Sequence, residues 1–310
     1  MIEVFTMVIR PKYNWFKMLL VWKGSVLPEI LPRLVFIFLL SALVLYFHGV
    51  FFSVKVSLNP TPFTLMGIAL AIFLGFRNSA AYDRFWEGRK LWGSLLNVSR
   101  SLSRQALTLT GLTANDSESR RFLQLLIAFA YCTKHQLRKT DATTDLKRLT
   151  PDLASELSQV EYKPAVLLRH LGQWVSDQKN AGRIDSITAG MFDKNLNDMS
   201  EILGGCERIS NTPIPYPYAV LLHRTVYIYC VLLPFGLMDS IGWMTPAICT
   251  FVAYTFMALD AIVNQIEEPF GTEDNDLALN QMCETIESSV QEMRGEKALP
   301  RNHEGQYVFN

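Results

Sequence analysis

The sequence predicts an all-α integral membrane protein, with four transmembrane helices continuing into a helical cytoplasmic domain. Three observations predict it: apolar residues gathered into long charge-free runs, helical spacing between those runs, and no strand-like alternation or repeat. The chain has 310 residues, 49% of them hydrophobic, and clumping rather than the total makes the case. A soluble helical protein with buried core helices is the alternative. Such helices seldom need the roughly 20 apolar residues that a bilayer demands.

The first span covers about Leu34 to Val54 and is broken only by Ser41, His48 and Ser53. The second, about Pro62 to Phe76, is short for a helix that crosses lipid alone. The third follows "NTPIPYPYAV" and covers about Tyr218 to Met238; the fourth covers about Trp243 to Ile262, and aromatics flank both. The chain thus divides into an N-terminal segment (1–33), spans one and two (34–76), a helical region (77–217), spans three and four (218–262) and an acidic segment with helix and tail (263–310).

Basic residues near the spans set orientation. Arg10, Lys12, Lys17, Lys23 and Arg33 precede the first span, and Arg77, Arg84, Arg89, Lys90, Arg100 and Arg104 follow the second. The connecting loops hold Lys55 in one and no base in the "DSIG" turn of the other. Both termini and the central region are therefore expected in the cytoplasm. The N-terminus lacks the charged, apolar and small-residue succession of a signal peptide, and reads as mature protein.

The central region reads as helices. Asp116 or Ser117 is an expected start and Gly204-Gly205 an expected stop. Equal numbers of basic and acidic residues, 29 each, give no global pull towards nucleic acid. Five scattered cysteines, Cys132, Cys206, Cys230, Cys249 and Cys283, read as reduced, buried, small apolar residues. No nucleophile elbow, phosphate loop or histidine pair at ligand spacing supports an enzyme. His223, Arg224 and Asp260 lie inside spans, where ionisable groups are functional candidates. Snorkelling or an inter-helix salt bridge is the preferred reading of them.

"GIALAIFLGFRNSAAYDRFWEGRKLWG", residues 67–93, reads as one helix that leaves the membrane without a break. Residues four apart share a helix face, so Ile68, Ile72 and Phe76 form an apolar stripe flanked by Leu65 and Ala69. In a lone span such a stripe faces lipid or a neighbouring helix. The charged continuation through Arg77, Asp83, Arg84 and Glu87 suits a pore that runs on into the cytoplasm.

"FLGFRNSAAYDRFWEGRKLWG", the "KGS" after Trp22, "PIPYPYAVLLHR" and "NQIEEPFGTEDND" together resemble the landmarks of the bestrophin family, from about Trp22 to Asp276. The resemblance implies a pentameric ion channel in the cell inner membrane, with one central pore carrying an apolar neck and a second cytoplasmic aperture. It places the neck on Ile68, Ile72 and Phe76, and explains the short second span, because a helix surrounded by protein need not match the lipid. It places the aperture in "AGRIDSITAG", at Ile187 or, next, at Ile184; core packing is the alternative for either. Animal members bind calcium in the region that matches Gln265, Glu268, Glu273 and Asp276. Here Glu268 replaces an Asn, and Thr272 and Asn275 interrupt the acidic run. The competing reading is that Glu267 to Asp276 caps the helix "DLALNQMCETIESSVQEM" through its dipole.

The permeating partner is expected to be a monovalent ion. Carboxylates such as Glu87, Asp185, Glu267 and Glu268 favour cations, sodium above all, if they line the vestibule, whereas neighbouring Arg and Lys reverse that field. A chloride channel of the same architecture and a non-conducting membrane scaffold remain the alternatives.

Overall fold

The computed structural model describes residues 7–8, 14–19, 21–22, 24–48, 50–51, 54–55, 58–297 and 308–309. The expectations that rest on Arg10, Lys12, Lys23 and the segment 300–307 lie outside them, as do the side chains of Lys17 and Lys55. The described chain is helical apart from two-residue β pairings, and it divides into two compact units.

The span unit comprises Pro11–Phe85 and Pro213–Glu268. It holds α1 (Trp15–Leu19), α2 (Leu27–Tyr46), the paired β2 (Val50–Phe51) and β3 (Val54–Lys55), the first half of α3 (Pro60–Thr108), α9 (Tyr216–Ile241), a 3-10 turn (Gly242–Met244) and α10 (Thr245–Glu267). Leu27–Tyr46, Pro60–Thr108 and Tyr216–Glu267 are long and apolar enough to cross a membrane, and the 3-10 turn divides the last into α9 and α10. Gly242, at φ +54°, makes that division in a conformation that side-chain-bearing residues rarely adopt.

The helix that carries span one starts and ends earlier than the expected span. It begins at Leu27, not Leu34, because Pro28 fits an opening helical turn where no backbone donor is needed. Glu29 and Arg33, one turn apart on this helix, pair at 3.8 Å. The helix ends at Tyr46, not Val54, where His48 turns the chain with positive φ towards β2 and β3. Ile30, Leu34 and Ile37 of α2, Leu70 and Leu74 of α3, Val226 and Leu233 of α9, and Cys249, Ala253 and Met257 of α10 form one core. Its helices approach closely where side chains vanish. A Cβ on Gly236 would stand 2.6 Å from the Phe63 ring, and one on Gly67 2.9 Å from the Tyr229 hydroxyl.

The helical unit comprises Met1–Arg10, Trp86–Thr212 and Pro269–Asn310. Its elements are the second half of α3, α4 (Ser117–Arg138), α5 (Thr143–Leu149), α6 (Ala154–Ser158), α7 (Lys163–Asn180), α8 (Ser186–Asn211) and α11 (Leu279–Met293). The terminal strands β1 (Met7–Val8) and β4 (Val308–Phe309) pair antiparallel. Three aromatic rings pack together in its core: Phe122 lies 4.2 Å from Trp174 and 5.9 Å from Phe192 between ring centres. The Trp174 indole N–H donates to the Glu118 carbonyl at 3.1 Å, which removes the polar cost of burying it.

Of the helix boundaries expected from sequence, the start of α4 falls at Ser117 with Asp116 as its N-cap, and the stop of α8 differs. Gly204-Gly205 does not stop α8, which continues to Asn211. The bare Cα of Gly205 instead admits Leu91 of α3, whose methyl groups would lie 3.0 Å from a Cβ. Asp116 does precede α4, but its carboxylate turns back to accept from the Thr113 backbone N–H and hydroxyl. The cysteines are all buried and free, and burial pushes the Cys132, Cys206 and Cys283 thiols up to about 12.

Candidate functional site

Helix α3 is continuous from Pro60 to Thr108, across the point where its apolar language gives way to a charged one. Its first half has two faces of opposite character. Leu70, Leu74, Arg77 and Ala81 are buried. At 100° per residue they lie roughly 140–200° around the axis from Ile72. On the other side Ile68, Ile72 and Phe76 are exposed, Phe76 at 70%. The stripe expected from sequence is therefore a free apolar face with a fully packed back.

The back of the stripe is held by charge. Arg77 is only 4% exposed, yet it reaches three acceptors on α10: Asp260 Oδ1 at 2.7 Å, Asn264 Oδ1 at 2.6 Å and Glu267 Oε2 at 3.0 Å. Residues 260, 264 and 267 recur at helical spacing, which is why one guanidinium fork meets all three. Asp260 Oδ2 contacts His223 Nδ1 of α9 at 2.9 Å. Arg84 Nε–H donates to the Glu267 carbonyl at 3.0 Å, satisfying a group that the end of α10 leaves without a helical partner. Asp260 thus sits in an inter-helix salt bridge, the preferred expectation for it. Its principal partner, Arg77, and the contributions of Asn264 and Glu267 went unread in the sequence. A buried acid within a span demands a counter-charge, and that demand was the available signal.

The second expected constriction falls at the start of α8. Ile187 is 72% exposed, whereas Ile184, three residues earlier, is 6% exposed and packed in the helical unit. Asp185 is the N-cap between them: its carboxylate accepts from the Thr188 backbone N–H at 2.7 Å. That bond holds the carboxyl below its usual range, so an ionised acid stands two residues from Ile187.

The acidic segment differs from the capping expectation placed on it. It does not cap α11: that helix starts at Leu279, its cap is Ala278, and no acid occupies its first turn. Asp276 instead folds the preceding turn, accepting from the Glu273 backbone N–H at 2.7 Å, while the Leu277 N–H donates to the Pro269 carbonyl. Gln265 and Glu268 belong to the span unit, Glu273 and Asp276 to the helical unit. Among the described residues, no three His, Cys, Asp or Glu side chains gather into one cluster.

Elsewhere in the helical unit, Glu287 is buried and fully engaged. It accepts from the Tyr131 hydroxyl at 2.7 Å and from both Arg148 guanidinium nitrogens at 2.5 and 3.1 Å. Burial and that carboxylate push the Tyr131 phenol well above its ordinary value.

Comparison with known proteins agrees with the resemblance seen in the sequence. A voltage-dependent anion channel-forming protein of Ralstonia nicotianae is 52% identical over 294 residues, covering 94% of this chain and 96% of that one. The voltage-dependent anion channel-forming protein YneE of Escherichia coli is 41% identical over 297 residues, covering 95% and 96%. A crystal structure of a bacterial bestrophin homologue from Klebsiella pneumoniae superposes with a TM-score of 0.82 at 41% identity, covering 86% of this chain and 99% of that one. The sequence model of the Bacterial/Fungal Bestrophin family matches residues 7–292, and the chain belongs to that family.

Proposed function

We propose that this bestrophin-family ion channel, which is not an enzyme, works as a homopentamer around one central pore. Ile68, Ile72 and Phe76 of each copy line an apolar neck, and Ile187 lines a second constriction. One observation carries the reading: α3 leaves these three side chains free while packing the face behind them and burying Arg77 there. Rings of Ile and Phe offer an ion no substitute for its hydration shell, so the neck gates by wetting and drying. Ile187 is preferred to Ile184 because only the former is available to line an opening. The basic residues flanking the spans support an inner-membrane orientation with both termini cytoplasmic.

An apolar neck does not choose the sign of an ion. The relatives above carry the names of anion channels, which favours anions over the sodium preference drawn from the sequence. The cation reading keeps one specific support: the ionised Asp185 carboxylate beside Ile187. Purified protein in planar bilayers under a sodium chloride gradient separates the two. A reversal potential near the chloride equilibrium value establishes the anion channel; one near the sodium value establishes the cation channel and turns attention to Asp185. Silence in a lipid that supports a control channel returns the protein to the scaffold reading.

A further inference from the structure

We infer that Arg77 is a positioning residue for the neck: its three-point attachment to α10 fixes the rotation of α3 about its own axis, and so decides which side chains face the pore. The inference rests on the neck assignment proposed above and deepens it.

Apolar packing alone is a weak rotational lock. Leu70 and Leu74 join a core of Ile, Val, Leu, Cys, Ala and Met side chains, whose apolar contacts are non-directional, and the close approaches of Phe63 to Gly236 and of Gly67 to Tyr229 act nearer the start of α3. A planar guanidinium is different, because its donors point in fixed directions; Nε is buried here without a partner, so Nη1 and Nη2 carry the attachment. Here Nη1 takes Asp260, and Nη2 takes Asn264 and Glu267. Rolling α3 by one residue's angle, about 100°, would break all three. Arg77 is also adjacent to Phe76, so the lock acts at the end of the stripe, where the helix passes from apolar to charged sequence. Asp260 is itself fixed from a second side by His223, and Glu267 lies at the α10 terminus that Arg84 tethers.

A purely structural ion cluster would be replaceable by neutral side chains of similar volume. A positioning cluster would not, and the test uses that difference. The variants are Arg77→Lys, which keeps the charge but loses the fork, and a neutral triple variant, Arg77→Met with Asp260→Leu and Glu267→Gln. Each is made in full-length protein with and without Phe76→Cys. The native cysteines are buried, so a charged methanethiosulfonate reagent reports the introduced thiol. Oligomeric state and thermal unfolding are measured beside current and modification rate.

The expected result is a neutral triple variant that keeps the oligomer and the unfolding temperature. Its current is altered, and thiol modification at position 76 is roughly tenfold slower, the scale of one lost charge-assisted hydrogen bond. Arg77→Lys should fall between it and the parent. Parental current and parental modification rate in an assembled neutral variant overturn the inference; so does loss of the oligomer in both variants, which makes the cluster a structural clamp and no more. Failure of the neck assignment looks different: modification at position 76 in the parental background then leaves current unchanged.

Discussion

The two units differ in what they expose. The span unit hides Arg77 and Asp260 while Phe36, Phe38, Leu39 and Phe76 stand exposed. The helical unit hides Phe122, Phe129 and Phe192, and its exposed positions include Arg100, Lys139 and Lys179. Water and lipid reward different surfaces, since apolar exposure is costly only where water is the solvent. The contrast teaches how to read an exposed hydrophobe. On the helical unit Ile187 is more exposed than Tyr162 and Met191, the other large hydrophobes described there at half exposure or above; on α2 exposed phenylalanine is the ordinary coat of a span. On α3 the same exposure is informative because the face behind it is packed and ion-paired.

The comparison predicts its own breaking points. The largest loss belongs to charge inside the span unit: Arg77→Met leaves Asp260 and Glu267 uncompensated and should cost about 3–5 kcal/mol, read as loss of the folded oligomer on detergent-solubilised gel filtration. Phe192→Ala, in the aromatic core of the helical unit, should cost a similar ~3–5 kcal/mol by cavity formation, measured by thermal unfolding. Gly236→Ala forces a methyl group onto the Phe63 ring and should cost roughly 1–3 kcal/mol, where an exposed apolar substitution nearby would cost almost nothing.

Much of this was legible in the sequence, and most of the failures turn on contacts between residues distant along the chain. The long apolar runs and the 3.6-residue stripe at Ile68, Ile72 and Phe76 are local patterns, so sequence exposed them directly. Span one was expected to begin after the charge of Arg33, whereas α2 already includes Pro28, Glu29, Pro32 and Arg33. Gly204-Gly205 read as a stop because the need for space beside Leu91 is a tertiary fact. Arg77 pairs with Asp260 across 183 positions of sequence, and no local pattern announces such a partner. Ile184 and Ile187 differ by three residues and look alike on paper, yet only packing separates the buried one from the free one.

The smaller effects sharpen the contrast at Ile187. Asp185→Asn should lower thermal stability slightly at neutral pH, because the native carboxylate is held ionised by the Thr188 N–H. A depressed folded-state pKa stabilises above the unfolded value, the ordinary 3.8 of an aspartate, and that contribution disappears as pH falls through the folded one. Parent and variant should therefore converge in unfolding temperature in that acid range, and divergence there would contradict the cap. Ile187→Ala should leave unfolding within about 0.5 kcal/mol of the parent, as expected of an exposed side chain, while changing current.

The most direct test of the account is single-channel current through purified protein carrying Ile68→Ala, Ile72→Ala and Phe76→Ala together. The neck assignment predicts an intact oligomer whose open probability rises, because smaller side chains widen the constriction and ease its wetting. An intact oligomer with current and gating identical to the parent would contradict it, and would return the stripe to the lipid or to a neighbouring helix.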